Sequence, residues 1–175
     1  MDEKTIDNAR CGDRRAQAQI LRELQDAWFR FCLGLLGDVD RARDATQETA
    51  ARFLEKLPTW RGDGSLKTWS FGIALNVVRE MRRQPRETQS NLLFGGPATA
   101  GSSPDESAES TERSQLLHDA LLLLPERQRE ALMLRFFENL TTEETAGAMH
   151  CAVGTVKATV HQALRTLRGK LRQLT

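Results

Sequence analysis

The sequence predicts an all-α protein: two small helical domains joined by a flexible linker, the C-terminal one a helix-turn-helix. Three observations lead there. Apolar residues recur at three- and four-residue steps in both flanks, and no stretch alternates convincingly with period two. The stretch "RETQSNLLFGGPATAGSSPDESAEST" between them is rich in Gly, Ser, Thr, Pro and Ala and has no sustained period. Near the C-terminus, a capped short helix, a tight break and a longer amphipathic helix follow one another.

In the first flank, Asp13 can cap a helix whose apolar positions are Ala16, Ile20, Leu24, Ala27, Trp28, Phe31 and Leu35, ending at Gly37. A second helix, about Asp40 to Leu57, places Ala42, Ala45, Thr49, Phe53 and Leu57 on one side and stops before Pro58. A third starts at Ser65 and runs through Trp69, Ile73, Val77 and Met81 to about Gln84, ahead of Pro85. Its far end is basic, with Arg79, Arg82 and Arg83. In the second flank, Leu116, Leu117, Ala120, Leu121 and Leu124 make a short helix, and Pro125 suits the first turn of the next. The domains are therefore expected at 1–84 and 113–175, with 85–112 as linker. Within that linker the apolar patch Asn91-Leu92-Leu93-Phe94 is an exception that could dock somewhere.

A net charge of +1 conceals a strong pattern. Residues 1–84 hold 15 basic and 13 acidic side chains, 85–112 hold 1 and 5, and 113–175 hold 9 and 6. Glu144 is the final acid, after which Lys157, Arg165, Arg168, Lys170 and Arg172 are unopposed. Such a helix end suits a polyanion, although charge alone fits a solvated basic tail equally well. No apolar run approaches the roughly 20 residues of a membrane span, and "MDEKTIDNARCGDRR" has charges where a secretory signal has an apolar core. The expectation is a cytoplasmic protein with no direct membrane insertion. Cys11, Cys32 and Cys151 are odd in number and lack CxxC spacing, which fits reduced thiols. No Gly-rich phosphate loop and no HExxH motif occurs, so no enzyme activity, metal or cofactor is expected.

The segment "HCAVGTVKATVHQAL" sets His150 beside Cys151, with His161 further on. Its context argues for recognition and against chemistry. Thr141 followed by Glu144 is a capping box that starts a short helix ending near Met149. After a break at 150–152, the next helix carries Val153, Val156, Val160, Ala163, Leu164, Leu167 and Leu171 on one apolar face. The outward residues Thr155, Lys157, Ala158, Thr159, His161 and Gln162, with Arg165 one turn on, would then face a DNA major groove. Gly154 and Ala158 are small enough to permit close approach to the phosphate backbone. Two packed bundle helices with no DNA role are the plain alternative, and a turn histidine beside a half-buried thiol is the plain account of His150 and Cys151.

The stretch "LPERQREALMLRFFENLTTEETAGAMHCAVGTVKATVHQALRTLRGKL" resembles the promoter minus-35 binding domain of bacterial RNA polymerase sigma factors of the extracytoplasmic-function (ECF) group. "DRARDATQETAARFLEKLPTWRGDGSLKTW" and "FGIALNVVREMRR" resemble that group's other domain. The resemblance covers nearly the whole chain apart from the linker. It implies a protein that binds core RNA polymerase, directs it to promoters by minus-10 and minus-35 recognition, and promotes DNA opening. It also implies partners: the clamp-bearing large subunit and the flap of polymerase, promoter DNA, and an anti-sigma factor.

Carried onto this chain, the resemblance gives Asp44, Gln47 and Glu48 of "DATQE" to the polymerase clamp; an ordinary solvated face is the alternative. Thr49 and Ala50 stand where the family usually has larger apolar residues. The loop "TWRGDGS", 59–65, resembles the one that receives a flipped minus-10 base, a task for aromatic walls, polar edges and basic side chains. Lys56, Trp60, Arg61 and Asn76 supply these types, and Arg79, Arg82 and Arg83 would track the backbone. Trp69 reads as core, and a core role for Trp60 is the competing reading. In the recognition helix, His150, Ala152, Thr159 and Gln162 replace the Gly, Ser, Arg and Arg common in relatives. Base readout then rests on Lys157, His161 and Gln162, and glutamine suits adenine better than guanine, so an unusual minus-35 preference is expected. The acidic linker, by the same resemblance, threads towards the polymerase cleft and RNA path. A two-domain regulator that binds duplex DNA without polymerase would share the helix-turn-helix but would have no use for the "DATQE" face or the Trp60 loop.

Overall fold

A computed structural model describes residues 2–84 and 116–174. The linker expected at 85–112, with its apolar patch at 91–94, lies outside the described residues. So do the side chains of Leu171 and Arg172, expected on the last helix.

Glu3–Arg10 (α1) is a helix that periodicity did not single out. Asp2 caps it through the Thr5 amide at 2.7 Å, and Gln17 ties it to the next helix by donating to the Ala9 carbonyl at 3.0 Å. Arg14–Leu36 (α2) begins after Asp13, whose carboxylate accepts from the amides of Arg15 and Ala16. It ends at Gly37, whose φ of 70° is the left-handed cap that glycine adopts without a Cβ clash. Val39–Lys56 (α3) starts a residue earlier than expected because Asp38, capping the Arg41 amide, is its first anchor. Leu57–Thr59 then tightens into a 3₁₀ turn at Pro58. Leu66–Arg83 (α4) is capped by Ser65 and closes at Gln84, which is extended as a residue before proline should be. Each such cap contributes about 1 kcal/mol.

These four helices enclose Trp28, Phe31, Phe53 and Phe71, all fully buried. Trp28 and Phe53 are 5.3 Å apart and Phe31 and Phe71 5.1 Å, in tilted and edge-on pairs. Trp28 keeps its indole N–H satisfied by donating to the Ser70 hydroxyl at 3.0 Å. Thr49, an unusual residue for a core, points its hydroxyl back to the Ala45 carbonyl at 2.7 Å and so buries no orphan.

The C-terminal helices are 116–122 (α5), Glu126–Leu132 (α6), Thr142–Met149 (α7) and Val153–Leu174 (α8). A π-helical turn, Met133–Phe137, continues α6, a feature no periodicity foretold. Pro125 stands at the cap of α6, just ahead of its first turn. In α5 only the later residues turn inward: Ala120, Leu121 and nearby Leu124 are buried, while Leu116 and Leu117, one turn earlier, are exposed. The expected apolar face of α8 is likewise narrower. Val156 and Ala163 are buried, with Val160 and Leu167 packed beside them, but Leu164 lies at the margin of the stripe and is 42% exposed.

The two sets of helices are not merely tethered: their buried residues form one continuous core. α7 lies along α4, where Gly72 faces Ala148. Gly34 of α2 leaves room for the Met133 thioether. Polar groups fasten the same seam. Lys67 donates to the Glu138 carbonyl at 2.9 Å, Thr68 to the Glu144 carboxylate at 2.7 Å, and Arg129 to the Leu35 carbonyl at 2.8 Å.

Glu138 sits in this seam with 6% of its side chain exposed, 3.9 Å from the Lys67 ammonium. Burial pushes its carboxyl above the usual range, against the pull of Lys67 and Arg30. A carboxyl raised in the folded state holds its proton there to higher pH than when unfolded. Its contribution to stability is therefore fullest below about 4.5 and is lost as pH rises through the folded value. Glu138→Gln should accordingly be more stable than the parent at pH 7 and lose less stability between acid and neutral pH, as denaturant unfolding followed by circular dichroism would record.

Candidate nucleic-acid interface

Asp44, Gln47 and Glu48 lie exposed on the outer side of α3, held there by Ala45, Thr49 and Phe53 on the buried side. Asp44 and Gln47 point to solvent. Glu48 accepts from the Arg52 guanidinium at 2.6 Å, and Arg52 also holds Glu80 of α4 at 2.7 Å. Those two carboxylates raise the Arg52 pKa, and Arg52 in turn holds Glu80 below the usual carboxylate range. The helix pair α3–α4 is thus braced on the surface by an acid–base–acid chain.

Next to this chain is a cavity of about 210 Å³ lined by Arg52, Lys56, Ile73, Asn76, Arg79, Glu80 and Arg83. Four of the seven residues expected to meet the minus-10 element, Lys56, Asn76, Arg79 and Arg83, converge here. Trp60 and Arg61 stand apart, in the loop before α4. Arg61 is exposed, and Gly62 and Gly64 take φ of 81° and 89°, which lets the loop double back as residues with a Cβ could not do cheaply. Trp60 is half-buried, its ring 6.2 Å from that of Trp69, and its indole N–H has no acceptor among the described residues. Trp69 packs on Phe53 at 5.5 Å as part of the core. Trp60 is therefore a wall residue, supported from behind and open on one side.

Arg82 does not join the cavity. It turns into the seam, where Nη1 meets Glu130 of α6 at 3.1 Å and Nη2 donates to the Leu35 carbonyl of α2 at 2.9 Å. Arg79 is shared: it lines the cavity and also forks onto both oxygens of Glu130, at 3.2 and 2.7 Å. Sequence reading missed Arg52, Glu80 and Glu130. The Glu48–Arg52 pair is visible as an i,i+4 spacing, but the links from Arg52 to Glu80 and from Arg79 to Glu130 join positions remote in sequence.

The second candidate surface is built around α7 and α8. Thr141 and Glu144 form the reciprocal capping box, at 2.8 and 3.1 Å. The Thr141 amide, then the Thr68 hydroxyl, hold the Glu144 carboxyl below its usual range. His150 closes α7 with φ 52°, ψ 54°, the left-handed conformation that its place at a helix end demanded. Its side chain is exposed, whereas Cys151 is half-buried against the core. Beyond the turn, Thr155, Lys157, Ala158, His161, Gln162 and Arg165 are exposed and Thr159 is half-exposed, one face of α8 opposite buried Val156 and Ala163. Among the described residues, no group of three or more His, Cys, Asp or Glu side chains is placed to hold a metal ion, and no helix is long and apolar enough to cross a membrane.

One of these surfaces is basic and cavitied, and the other has the helix-turn-helix arrangement that many readers of duplex DNA share. Comparison places the chain more narrowly. Residues 20–88 match the sigma-70 region 2 family and residues 114–167 match sigma-70 region 4. The chain is 26% identical to the ECF RNA polymerase sigma factor SigW of Bacillus subtilis, over 99% of this chain and 98% of that one. It is 33% identical to the ECF RNA polymerase sigma factor EcfG of Rhodopseudomonas palustris, over 81% and 77%. Among solved structures it resembles the sigma factor RpoE of Bartonella quintana, solved with the anti-sigma factor NepR. That match has a TM-score of 0.71 and 28% identity and covers 89% of this chain and 96% of the other. The chain belongs to the sigma-70 family, in its ECF group, and is a sigma factor.

A left-handed histidine costs on the order of 1 kcal/mol relative to glycine. His150→Gly should raise the unfolding free energy by up to about that amount while leaving the α8 face in place, as urea titration together with minus-35 duplex binding would check.

Proposed function

We propose that residues 1–84 grip core RNA polymerase and the minus-10 element, residues 85–112 tether, and residues 113–175 read the minus-35 element. In this reading Asp44, Gln47 and Glu48 meet the polymerase clamp. Lys56, Trp60, Arg61 and Asn76 receive an unstacked minus-10 base, and Arg79, Arg82 and Arg83 follow the phosphates. Thr155, Lys157, Ala158, Thr159, His161, Gln162 and Arg165 enter the major groove, and the polymerase flap is a further partner. The protein acts in the cytoplasm, without a cofactor and without chemistry of its own.

The observation that carries this reading is the joining of α3 and α4 by Glu48–Arg52–Glu80. It sets an exposed acid-and-amide face beside a basic cavity, an arrangement for which a regulator acting on duplex DNA alone has no use. Stacking on Trp60 and a polar edge at Asn76 would offset the cost of extracting a base. An anti-sigma partner is included because the matched Bartonella protein was solved with one, and such an inhibitor would compete for the α3 face.

Co-purification with core polymerase tests the reading. The parent chain should be retained by core enzyme, and Asp44→Lys should lose retention without losing helicity; equal retention would remove the α3 assignment. On DNA, Lys157→Glu should weaken binding across minus-35 sequences and lower the salt slope by about 0.9 for each phosphate no longer neutralised. Replacing Gln162 should instead change the preferred base at one position by about 1–3 kcal/mol. A stability loss with no DNA effect in both variants would displace α8 as the reading helix.

A further inference from the structure

Glu80 puts a carboxylate into the wall of the cavity between α3 and α4, where the ligand proposed above, a DNA strand, is itself an anion. On the α4 side Ile73, Asn76, Glu80 and Arg83 follow one another at steps of three and four residues and so share one face, while Arg52 and Lys56, four apart, line the cavity from α3. Ile73 is buried and supplies the apolar part of the lining, Asn76 is half-buried, and Lys56 and Arg83 are exposed. Arg52 fixes the Glu80 side chain, its Nη2 lying 2.7 Å from Oε2. Among the described residues no hydrogen bond or ion pair engages Oε1. Lys56 and Arg83 act on this carboxylate through charge alone. Ionised, it accepts hydrogen bonds and donates none. Bracing explains the placement poorly. The Arg52 and Glu80 side chains are 28% and 49% exposed, and an ion pair as open as this contributes little to stability; Arg52 is, besides, already matched by Glu48 at 2.6 Å. Holding a phosphate explains it worse, since one anion repels another.

We propose that Glu80 is a specificity-determining residue of the minus-10 pocket: its carboxylate accepts from the exocyclic amino group of the unstacked base, while Asn76, one turn earlier on α4, donates its amide N–H to the neighbouring ring nitrogen. The inference rests on the reading of this cavity as the seat of that base. Four residues apart on one helix, Asn76 and Glu80 are side-chain neighbours. Beside a fixed carboxylate the Asn76 amide turns its NH₂ to the ligand, because two acceptors side by side repel. The edge so recognised is an amino donor next to a ring acceptor, which cytosine presents at N4 and N3 and adenine at N6 and N1. Thymine turns carbonyl oxygens towards the carboxylate and is rejected. Guanine carries two adjacent donors, N1–H and the N2 amino group, and sets one of them against the Asn76 donor. Arg52 completes the device by keeping Oε2 occupied, which leaves a single oxygen to be offered to a base.

The test uses holoenzyme assembled from core polymerase and the full chain. It is offered a pool of forked DNA whose non-template strand is single-stranded and randomised across the minus-10 region, and the bound molecules are recovered and sequenced. The parent should show one position at which adenine or cytosine outnumbers thymine and guanine by about tenfold, the scale of one good base contact; the base enriched there tells which of the two the pocket holds. Glu80→Gln, whose amide both donates and accepts, and Glu80→Ala, which does neither, should abolish the rejection of thymine and guanine at that position and leave the preferences elsewhere unchanged. Losing the charge also strengthens the hold on phosphates, but equally for every base, so a ratio between bases does not register it. A parent with no such position would overturn the proposal, and so would variants that keep the parental preferences throughout or lose them at all positions alike. Asn76→Ala and Lys56→Ala separate the two levels. If holoenzymes of these variants bind and select minus-10 sequences as the parent does, the reading of the cavity itself is removed. A loss in them, beside Glu80 variants indistinguishable from the parent, removes only the part given to Glu80.

Discussion

A carboxylate as buried as that of Glu130 is tolerable only when its charge is met on the spot, and Arg79 and Arg82 meet it. The constraint runs in both directions. Removing either side leaves a charge in a dry seam, so α4 and α6 keep their register as long as the seam stays closed. From that register follow the approach of α7 to α4, the Thr68–Glu144 contact that shares the capping carboxylate, and the lodging of Met133 against Gly34. The helix-turn-helix is therefore aligned with the N-terminal bundle by ion pairs and hydrogen bonds laid over a common apolar core.

The seam combines an apolar core with a polar margin. Its apolar part stabilises association, while its polar part fixes how the helices lie against one another. The exposed polar face of α8 points away from the seam, whereas at the basic end of α4 Arg82 is drawn into it, Arg79 is shared and Arg83 stays with the cavity. α3 is separate from both, and its Asp44 and Gln47 stand exposed on the outer side.

Much of this architecture was legible in the chain. Helix α2 was bounded by Asp13 and Gly37 because a carboxylate at the start and a glycine at the end are local devices, readable without knowledge of the partner helices. The Thr141–Glu144 capping box and the left-handed turn at His150 were legible for the same reason. What escaped depends on contacts made at long range. The joining of the two cores, Leu164 at the margin of its stripe, the exposure of Leu116 and Leu117 and the π-helical turn at Met133–Phe137 are all decided by what packs alongside. So is the division of the α4 arginines: Arg79, Arg82 and Arg83 look alike in sequence, yet Arg83 stays with the cavity, Arg82 is taken by the seam and Arg79 serves both. Charge counting saw basic flanks; it could not see one glutamate placed among them.

The most direct measurement is promoter-specific transcription in vitro with core RNA polymerase stripped of its own specificity subunit, using a library of genomic fragments as template. The account predicts transcripts that start at defined positions only when this chain is added, from fragments sharing one minus-10 and one minus-35 element at fixed spacing. Initiation no different from that of core enzyme alone, with the folded chain present in excess, would contradict it.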